Sequence, residues 1–322
     1  MRSPKSPVLT IDGLIKDVGP LTSLDGKMLR VVSGLSLVAE RGQVTALLGA
    51  NGAGKTTTLE CAQGLQKRTG GNISLLGADP DTAGAVLRSR VGVMLQDGGL
   101  PPSARPIPLL RHVAGMYQKP MNVDALVERL GIHQFSRTSV RRLSGGQKQR
   151  LALAAALVGN PEILFLDEPS AGLDPQSRQM VFELIAELRD AGMGIVLTTH
   201  LMDDAERLAD YVYIIDGGHN VVEGTVAELL RHDHHAADSA ITDRTLYFDA
   251  PGGLSLNGAV DAGLQITETR SGSYAITGAI TPKDLASLTA WWAERNIMPA
   301  SLRLEARSLE DVFLDISGRD LR

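Results

Sequence analysis

The stretch GANGAGKTT, from Gly49 to Thr57, restricts the fold of this chain more than any other feature. It fits the pattern G-x-x-x-x-G-K-[ST], follows the apolar run VTALL and opens the helix-forming run KTTTLECAQGL. Glycines let such a loop turn its backbone N–H groups inward towards an anion, between a buried strand and a helix. The alternative, an ordinary glycine-rich turn, is disfavoured by the complete motif in this context. We therefore predict a phosphate-binding loop.

Within this loop, the chemistry of two side chains suggests separate tasks. Lys55 is expected to bridge the phosphates, and the Thr56 hydroxyl is expected to hold Mg²⁺. The candidate nucleotide-binding residues of the loop are Gly49, Asn51, Gly52, Gly54, Lys55, Thr56 and Thr57.

A pair of carboxylates ends a second strand-like run, EILFLDEP. Ile163 to Leu166 are apolar and predict a buried strand that ends in Asp167 and Glu168. Open α/β sheets place ligands at this carboxyl edge, and strand alternation points neighbouring side chains different ways. We expect Asp167 to reach Mg²⁺ and Glu168 to position or deprotonate an attacking water. The alternative for the pair is a simple helix cap.

Two more polar residues end predicted strands. Gln96 closes VGVMLQ, and His200 closes GIVLTTH. Each alone is weak evidence, since a lone histidine is more often structural. Together with the phosphate loop, Gln96 is a candidate metal or water contact, and His200 is a candidate γ-phosphate sensor.

The stretch RRLSGGQKQR, Arg141 to Arg150, predicts a second anion site, because a serine and two glycines precede a helix-forming basic run. The ordered set of phosphate loop, Gln96, LSGGQ, LFLDEP, GLD and His200 resembles the nucleotide-binding subunits of ABC transporters, over about residues 8–230. The segment LSGGQ is the most specific part, since ordinary P-loop ATPases lack it.

The resemblance implies how the two anion sites are used. In such proteins two domains pair head to tail, and each ATP lies between the phosphate loop of one and the LSGGQ segment of the other. It implies ATP and Mg²⁺ as cofactors, Glu168 and His200 as catalytic residues, and Asp174 near the dimer seam. A second copy or a paralogous ATPase must supply the other half-site. The residues implied to contact the partner's γ-phosphate are Ser144, Gly145, Gly146 and Gln147.

The chain departs from the family in one respect. The family usually places an aromatic residue ahead of the phosphate loop to stack on adenine, but here the first aromatic residue is Tyr117. The aliphatic candidates are Val18, Leu24 and Leu29. Loss of one stacking contact removes roughly 1 kcal/mol, by analogy with aromatic pairs, and loosens base selectivity.

Strand and helix patterns predict two domains. Up to residue 231, apolar strands alternate with helical segments, which indicates a mostly parallel α/β domain. A Pro-rich stretch and helical spacing predict an inserted helical subdomain at about 97–142. The polar residues 232–242 predict a linker, in which HDHH is a solvated connector or, alternatively, a metal site. Residues 243–322 predict a small α+β domain in which one of two adjacent tryptophans, Trp291 and Trp292, packs inward.

Composition narrows the function classes. Apolar residues make up 43% of the chain, yet no run approaches the ~20 residues of a membrane helix, and the N-terminus has no hydrophobic signal core. The net charge of −5, without a basic stripe, argues against a nucleic-acid partner. The single cysteine, Cys61, is expected to be a buried thiol. The N-terminus predicts a chain that stays in the cytosol, and the family resemblance implies a peripheral protein on the cytoplasmic face of the cell membrane.

The ending RSLEDVFLDISGR, Arg307 to Arg319, resembles the tail of bacterial ABC ATPases of the daunorubicin-exporter type. This resemblance implies export of drugs, antibiotics or lipids through separate multi-span membrane permease subunits. Import, or a role in envelope assembly, stays open. The alternatives are a soluble ABC ATPase acting on ribosomes or nucleic acid, and a phosphotransferase, which would leave LSGGQ and His200 unexplained.

Overall fold

The computed structural model describes residues 6–21, 27–95, 99–230, 244–254, 264–278, 280–306 and 308–317. The chain divides into two compact units, Met1–Thr225 and Val226–Arg322. Gln96 and the predicted linker, with its HDHH run, lie outside the described residues. Among the helices that are described, none is long and apolar enough to cross a membrane.

Strands and helices alternate along the first unit. Its elements are β1 (Pro7–Leu21), β2 (Lys27–Glu40), β3 (Val44–Leu48), α1 (Lys55–Ala62), β4 (Gly70–Leu75), α2 (Ala85–Arg88), β5 (Val91–Met94), α3 (Pro106–Ala114), α4 (Val123–Arg129), α5 (Gly145–Leu157), β6 (Ile163–Asp167), α6 (Pro175–Asp190), β7 (Gly194–Thr199), α7 (Met202–Leu208), β8 (Tyr211–Asp216) and β9 (His219–Gly224).

The central sheet positions the site. Its order is β5-β6-β7-β3-β8-β9, and all neighbouring pairs are parallel except β8 with β9. Every residue of β3, β6 and β7 is buried, as expected for parallel strands covered on both faces. The carboxyl ends of these three neighbouring strands lie at one edge. Each is followed there by a predicted site element: the phosphate loop, Glu168 and His200, respectively after β3, β6 and β7.

A second, three-stranded sheet has the antiparallel order β2-β1-β4. Leu9, Ile11 and Leu14 of β1 are buried against a core that also contains Leu35 and Leu37 of β2. The alternation of strands and helices in the sequence predicted a mostly parallel α/β domain and did not indicate this antiparallel sheet. Register shifts along the β1–β2 ladder interrupt the two-residue period by which such strands are recognised in a sequence.

Helices α3 and α4 lie between β5 and α5, within the stretch for which an inserted helical subdomain is predicted. The Asn122 side chain caps α4 by accepting from the backbone N–H groups of Asp124 and Ala125. Leu110 and Leu130 are fully buried where these helices meet α5 and a 3₁₀ turn at Ile132–Phe135. The 3₁₀ turn and α3 thus pack against α5.

The second unit is a four-stranded antiparallel sheet with helices. Its elements are α8 (Val226–Leu229), β10 (Arg244–Asp249), β11 (Gln265–Arg270), β12 (Ser273–Gly278), α9 (Pro282–Glu294), β13 (Ser301–Ala306) and α10 (Leu309–Ser317). The sheet order is β11-β12-β10-β13. This sheet with its helices confirms the small α+β fold predicted for the C-terminal part of the chain.

The core of the second unit lies between this sheet and α9. Phe248 stacks on Tyr274 at 5.0 Å and meets the edge of the Trp292 ring at 5.0 Å. Trp291 and Trp292 are 7% and 5% exposed. The expectation that one of the two tryptophans packs inward is corrected: both are buried members of one apolar cluster, and Arg295 lies over the Trp291 ring at 4.2 Å.

Candidate nucleotide site

The phosphate loop leaves β3 in a conformation that only glycine permits at two points. A Cβ atom at Gly49 would lie 2.3 Å from the Ile215 carbonyl oxygen, and one at Gly54 would lie 2.9 Å from that of Val31. Gly54 also has a φ of 99° and is the N-cap of α1. Since the first N–H groups of a helix have no partner inside it, the start of α1 has a geometry suited to an anion.

Lys55 places a cation inside the loop. Its Nζ donates hydrogen bonds to the backbone oxygens of Gly49 at 2.8 Å and Ala50 at 3.0 Å. Burial lowers the pKa of Lys55, whereas Glu168 and Asp167 nearby act to raise it. The ammonium group is thereby held beside two carboxylates and a helix N-terminus.

Asp167 joins two strands to the phosphate loop. The Thr198 hydroxyl of β7 donates to Asp167 Oδ1, and the Thr56 hydroxyl lies 3.4 Å from Asp167 Oδ2. The carboxylate is 6% exposed and lies at the end of the buried strand β6. Thr56 and Asp167, predicted from separate motifs, therefore form one group of oxygen atoms.

Glu168 and His200 form a hydrogen-bonded pair. The distance from His200 Nδ1 to Glu168 Oε2 is 2.8 Å. A carboxylate only accepts, so with Glu168 in that form His200 Nδ1 is the donor of this bond. The side chain of Glu168 is 7% exposed and that of His200 is 52% exposed. The pair thus spans from the protein interior to the open mouth of the cleft.

These side chains line one cleft of about 260 Å³. Its lining residues are Val31, Asn51, Gly52, Gly54, Lys55, Thr56, Thr57, Asp167, Glu168 and His200.

The signature segment, Leu143–Gln147, lies apart from the residues described as lining this cleft. Ser144 caps α5: its hydroxyl accepts from the Gln147 N–H at 3.3 Å, and the Gln147 side chain accepts from the Ser144 N–H at 3.1 Å. Ser144 and Gly145 are exposed, and a Cβ atom at Gly145 would meet nothing within 4 Å. The start of α5 therefore lies at the protein surface with a geometry suited to an anion.

Asp174 also lies outside the cleft lining, as the N-cap of α6. Its carboxylate accepts from the Ser177 hydroxyl at 2.6 Å and from the Ser177 N–H at 3.0 Å. These hydrogen bonds, first that of the hydroxyl, lower the pKa of Asp174. Within its own chain, Asp174 shapes the turn between Glu168 and α6.

The sequence reasoning missed several participants. Val31 lines the cleft, whereas Val18 and Leu29, the described candidates for a base contact, face each other in the β1–β2 ladder, and Leu24 is outside the described residues. Thr198 was missed because a threonine inside an apolar strand carries no motif of its own. The strand pairing of β6 with β7 was the signal that could have placed it beside Asp167.

Comparison with known proteins identifies the family. Residues 32–171 match the family described as ABC transporter. The chain is 34% identical to Nod factor export ATP-binding protein I of Ralstonia nicotianae, over 98% of this chain and 96% of that protein. It is 32% identical to daunorubicin resistance ATP-binding protein DrrA3 of Streptomyces coeruleorubidus, over 98% and 97% of the two chains.

A solved structure resembles the first unit. CbiO1 from Clostridium perfringens, described as part of the ABC transporter complex cbiONQ, is 30% identical with a TM-score of 0.58, over 70% of this chain and 91% of that one. The chain therefore belongs to the ABC transporter family, as an ATP-binding ABC ATPase whose ATP hydrolysis drives transport.

Proposed function

We propose that the chain binds Mg²⁺-ATP in the cleft described above, hydrolyses it as half of a head-to-tail dimer, and thereby powers export through separate membrane subunits. The observation that carries the proposal is the convergence of three chemistries at one sheet edge. A buried cation at Lys55, paired oxygens at Thr56 and Asp167, and the Glu168–His200 pair all line the same cleft.

Phosphate binding is assigned to the loop and to Lys55. The ammonium group exchanges its contacts with the oxygens of Gly49 and Ala50 for phosphate oxygens, which accept more strongly because they are charged. The N–H groups at the start of α1 complete the cradle. Asn51, Gly52 and Thr57 form the remaining wall.

The donor set fits Mg²⁺. The Thr56 hydroxyl and the Asp167 carboxylate supply hard oxygen atoms, which this cation prefers. The described residues contain no cluster of three or more His, Cys, Asp or Glu side chains that could hold a metal alone. Phosphate and water oxygens would complete the shell, with Gln96 as a further proposed ligand. When bound, the ion neutralises charge on the phosphate oxygens.

Glu168 is assigned as the base that orients or deprotonates the attacking water, and His200 as the γ-phosphate contact. The hydrogen bond from His200 Nδ1 holds the Glu168 carboxylate, and in the imidazolium form Nε2 of the same ring also donates, which is the form that can bind a phosphate oxygen. Because His200 is half exposed at the cleft mouth, it can reach a terminal phosphate without moving Glu168.

The signature segment completes the site of a partner chain. Ser144 and Gly145 are exposed, and none of the residues Ser144–Gln147 is among the described lining of the cleft. An exposed helix N-terminus with a serine cap suits a phosphate brought by another molecule. We infer that the partner is a second copy or a paralogous ATPase, with Asp174 near the seam. Each chain then contributes a phosphate loop to one site and Ser144, Gly145, Gly146 and Gln147 to the other.

Near full-length similarity to two proteins named for Nod factor export and daunorubicin resistance supports the exporter assignment. The cargo class we propose is drugs, antibiotics or lipids. The docking surface that we propose for a permease subunit at the cytoplasmic face is a groove of about 510 Å³. Its lining includes Leu65, Leu87 and Tyr117. Leu65 is 58% exposed, as are Val86 at 79% and Met116 at 68%, next in sequence to two of the lining residues.

The test uses Glu168→Gln, with Glu183→Gln on the exposed face of α6 as the matched control. Glu168→Gln should bind ATP, accumulate a dimer in gel filtration and lose nearly all hydrolysis, whereas the control should keep its rate. Close to normal hydrolysis by Glu168→Gln would show that the base is another residue.

A second variant tests the shared site. Ser144→Arg should block hydrolysis while the monomer keeps its affinity for ATP, since the changed residue lies outside the cleft of its own chain. Loss of ATP binding by the monomer would contradict a site completed by a partner. Copurification from detergent-solubilised membranes should recover a multi-span partner; recovery of ribosomes or nucleic acid instead would refute the transporter assignment.

A further inference from the structure

Gln149 makes a contact that neither the motif nor the proposed chemistry uses. It lies in the second turn of α5, five residues after the capping residue Ser144. Its Nε2 donates a hydrogen bond of 3.0 Å to the backbone oxygen of Glu168. Gln149 is half-buried and is not among the residues described as lining the nucleotide cleft. It touches the backbone of the proposed base without reaching the reacting atoms.

The backbone at Glu168 needs outside support. Its φ is +52°, in the left-handed region that is unfavourable for a non-glycine residue and persists only where surrounding contacts hold it. The Glu168 N–H donates to the Thr198 oxygen at 3.1 Å, and the Glu168 oxygen accepts from the Ala171 N–H at 3.2 Å. The hydrogen bond from Gln149 Nε2 joins these two backbone hydrogen bonds and is made by a side chain.

The three contacts come from different directions. Thr198 belongs to β7, next to β6 in the sheet, and Ala171 belongs to the turn that follows Glu168. Gln149 alone among these donors and acceptors belongs to α5, the helix whose exposed first residues have a geometry suited to an anion. Ser144 and Gln149 are separated by about 7.5 Å along the axis, at 1.5 Å per residue, within one rigid element.

We propose that Gln149 is a positioning residue that ties the start of α5 to the backbone of Glu168, so that contact of one chain with its partner's nucleotide sets the base of that chain's own site. This inference rests on the proposed function, in which Glu168 is the base and the signature segment meets the partner's γ-phosphate. When a phosphate binds at the first turn of α5 and fixes this helix, the Gln149 side chain in the second turn keeps the Glu168 carbonyl in place.

The first experiment replaces Gln149 with Met, which has a similar length but no donor, and uses Gln179→Met on the exposed face of α6 as the control. Removing one hydrogen bond should lower kcat roughly three- to tenfold. KM and the ATP Kd of the monomer should stay at their normal values, and Tm should fall by no more than about 2–4 °C, as expected for one hydrogen bond. A kcat equal to that of the control, or a loss explained by a larger fall in Tm, would overturn the inference.

A double-mutant cycle then tests whether Gln149 acts through Glu168. In a Glu168→Gln background, single-turnover hydrolysis should fall no further when Gln149→Met is added, because the base that it positions is already absent. A further three- to tenfold loss would show that Gln149 acts elsewhere and would refute the inference. Gln149→Glu, which keeps the side-chain length but cannot donate as a carboxylate, should match Gln149→Met; a normal kcat would refute the role.

The variants separate the positioning role of Gln149 from the role of Glu168 as the base. If Glu168→Gln is inactive while Gln149→Met is normal, only the positioning role is wrong. If Glu168→Gln itself retains its rate, the assignment of the base is wrong, and the role of Gln149 falls with it.

Discussion

Replacing Asp204 with alanine should destabilise the first unit by about 3 kcal/mol. Asp204 lies on α7, directly after His200, and is 2% exposed. Its carboxylate accepts from the Ser170 hydroxyl, two residues after Glu168, and forms an ion pair with Arg178 of α6. It therefore joins the segment that follows β7 to the segment that follows β6.

The size of this destabilisation follows from the Arg178 charge, which the substitution leaves without its partner. Removing one partner of a buried ion pair typically costs about 3–5 kcal/mol, because the other charge stays in the protein uncompensated. The Arg178 side chain is 31% exposed, so water compensates part of its charge and the lower end of this range applies. Asp204→Asn keeps the shape but loses the charge, and should cost about 1.5 kcal/mol, the value of a hydrogen bond to a charged group.

Urea unfolding of the two units can be followed separately. Both tryptophans of the chain, Trp291 and Trp292, belong to the second unit, so tryptophan fluorescence tracks that unit while far-UV circular dichroism tracks both. Asp204→Ala should shift the circular dichroism transition without a shift in fluorescence. With Arg178→Met added, the combined loss should be at least 1 kcal/mol smaller than the sum of the single losses, by roughly the cost of the uncompensated charge. A loss below about 1 kcal/mol, or strict additivity, would refute the reasoning.

Two other outcomes can be measured directly. Gly49→Ala places a Cβ 2.3 Å from the Ile215 oxygen, so the loop must shift; affinity for a fluorescent ATP analogue should fall at least tenfold, and unchanged affinity would contradict the required close approach. Hydrogen bonds from Arg90 and Arg41 lower the pKa of Glu162 from 4.5 to about 2, so its contribution is complete above pH 4.5 and is lost as the pH falls towards 2. Because all three side chains are more than a third exposed, Glu162→Gln should remove only about 1 kcal/mol of this pH dependence, as seen by urea unfolding at pH 5 and pH 3.

Local patterns were sufficient for the core of the site. A strand, a glycine-rich loop and a helix in sequence place Lys55 and Thr56, and an apolar run ending in two acids places Asp167 and Glu168. Because parallel strands share one carboxyl edge, the meeting of these groups with His200 could be predicted without coordinates. The structure confirms that meeting.

Contacts between distant segments could not be predicted in the same way. The Gln149 bond to Glu168 depends on how α5 packs beside β6, and the left-handed backbone of Glu168 depends on its three hydrogen-bond partners together. The Asp204 cluster joins residues 34 and 26 positions apart in sequence, with no repeating pattern to mark them. Such pairings are decided by tertiary packing, which composition and periodicity do not encode.

In the helix cap at Ser144, the hydroxyl group accepts a hydrogen bond, and its own proton takes no part in that bond. Its oxygen accepts from the Gln147 N–H, and this bond uses a lone pair and not the hydroxyl proton. The same group can therefore start a helix and still donate its proton to a phosphate oxygen. An aspartate there would cap the helix equally well, but would meet the phosphate with a negative charge and no proton to give. A serine can therefore both cap α5 and donate to a phosphate, whereas an acidic residue could cap the helix but would repel the phosphate.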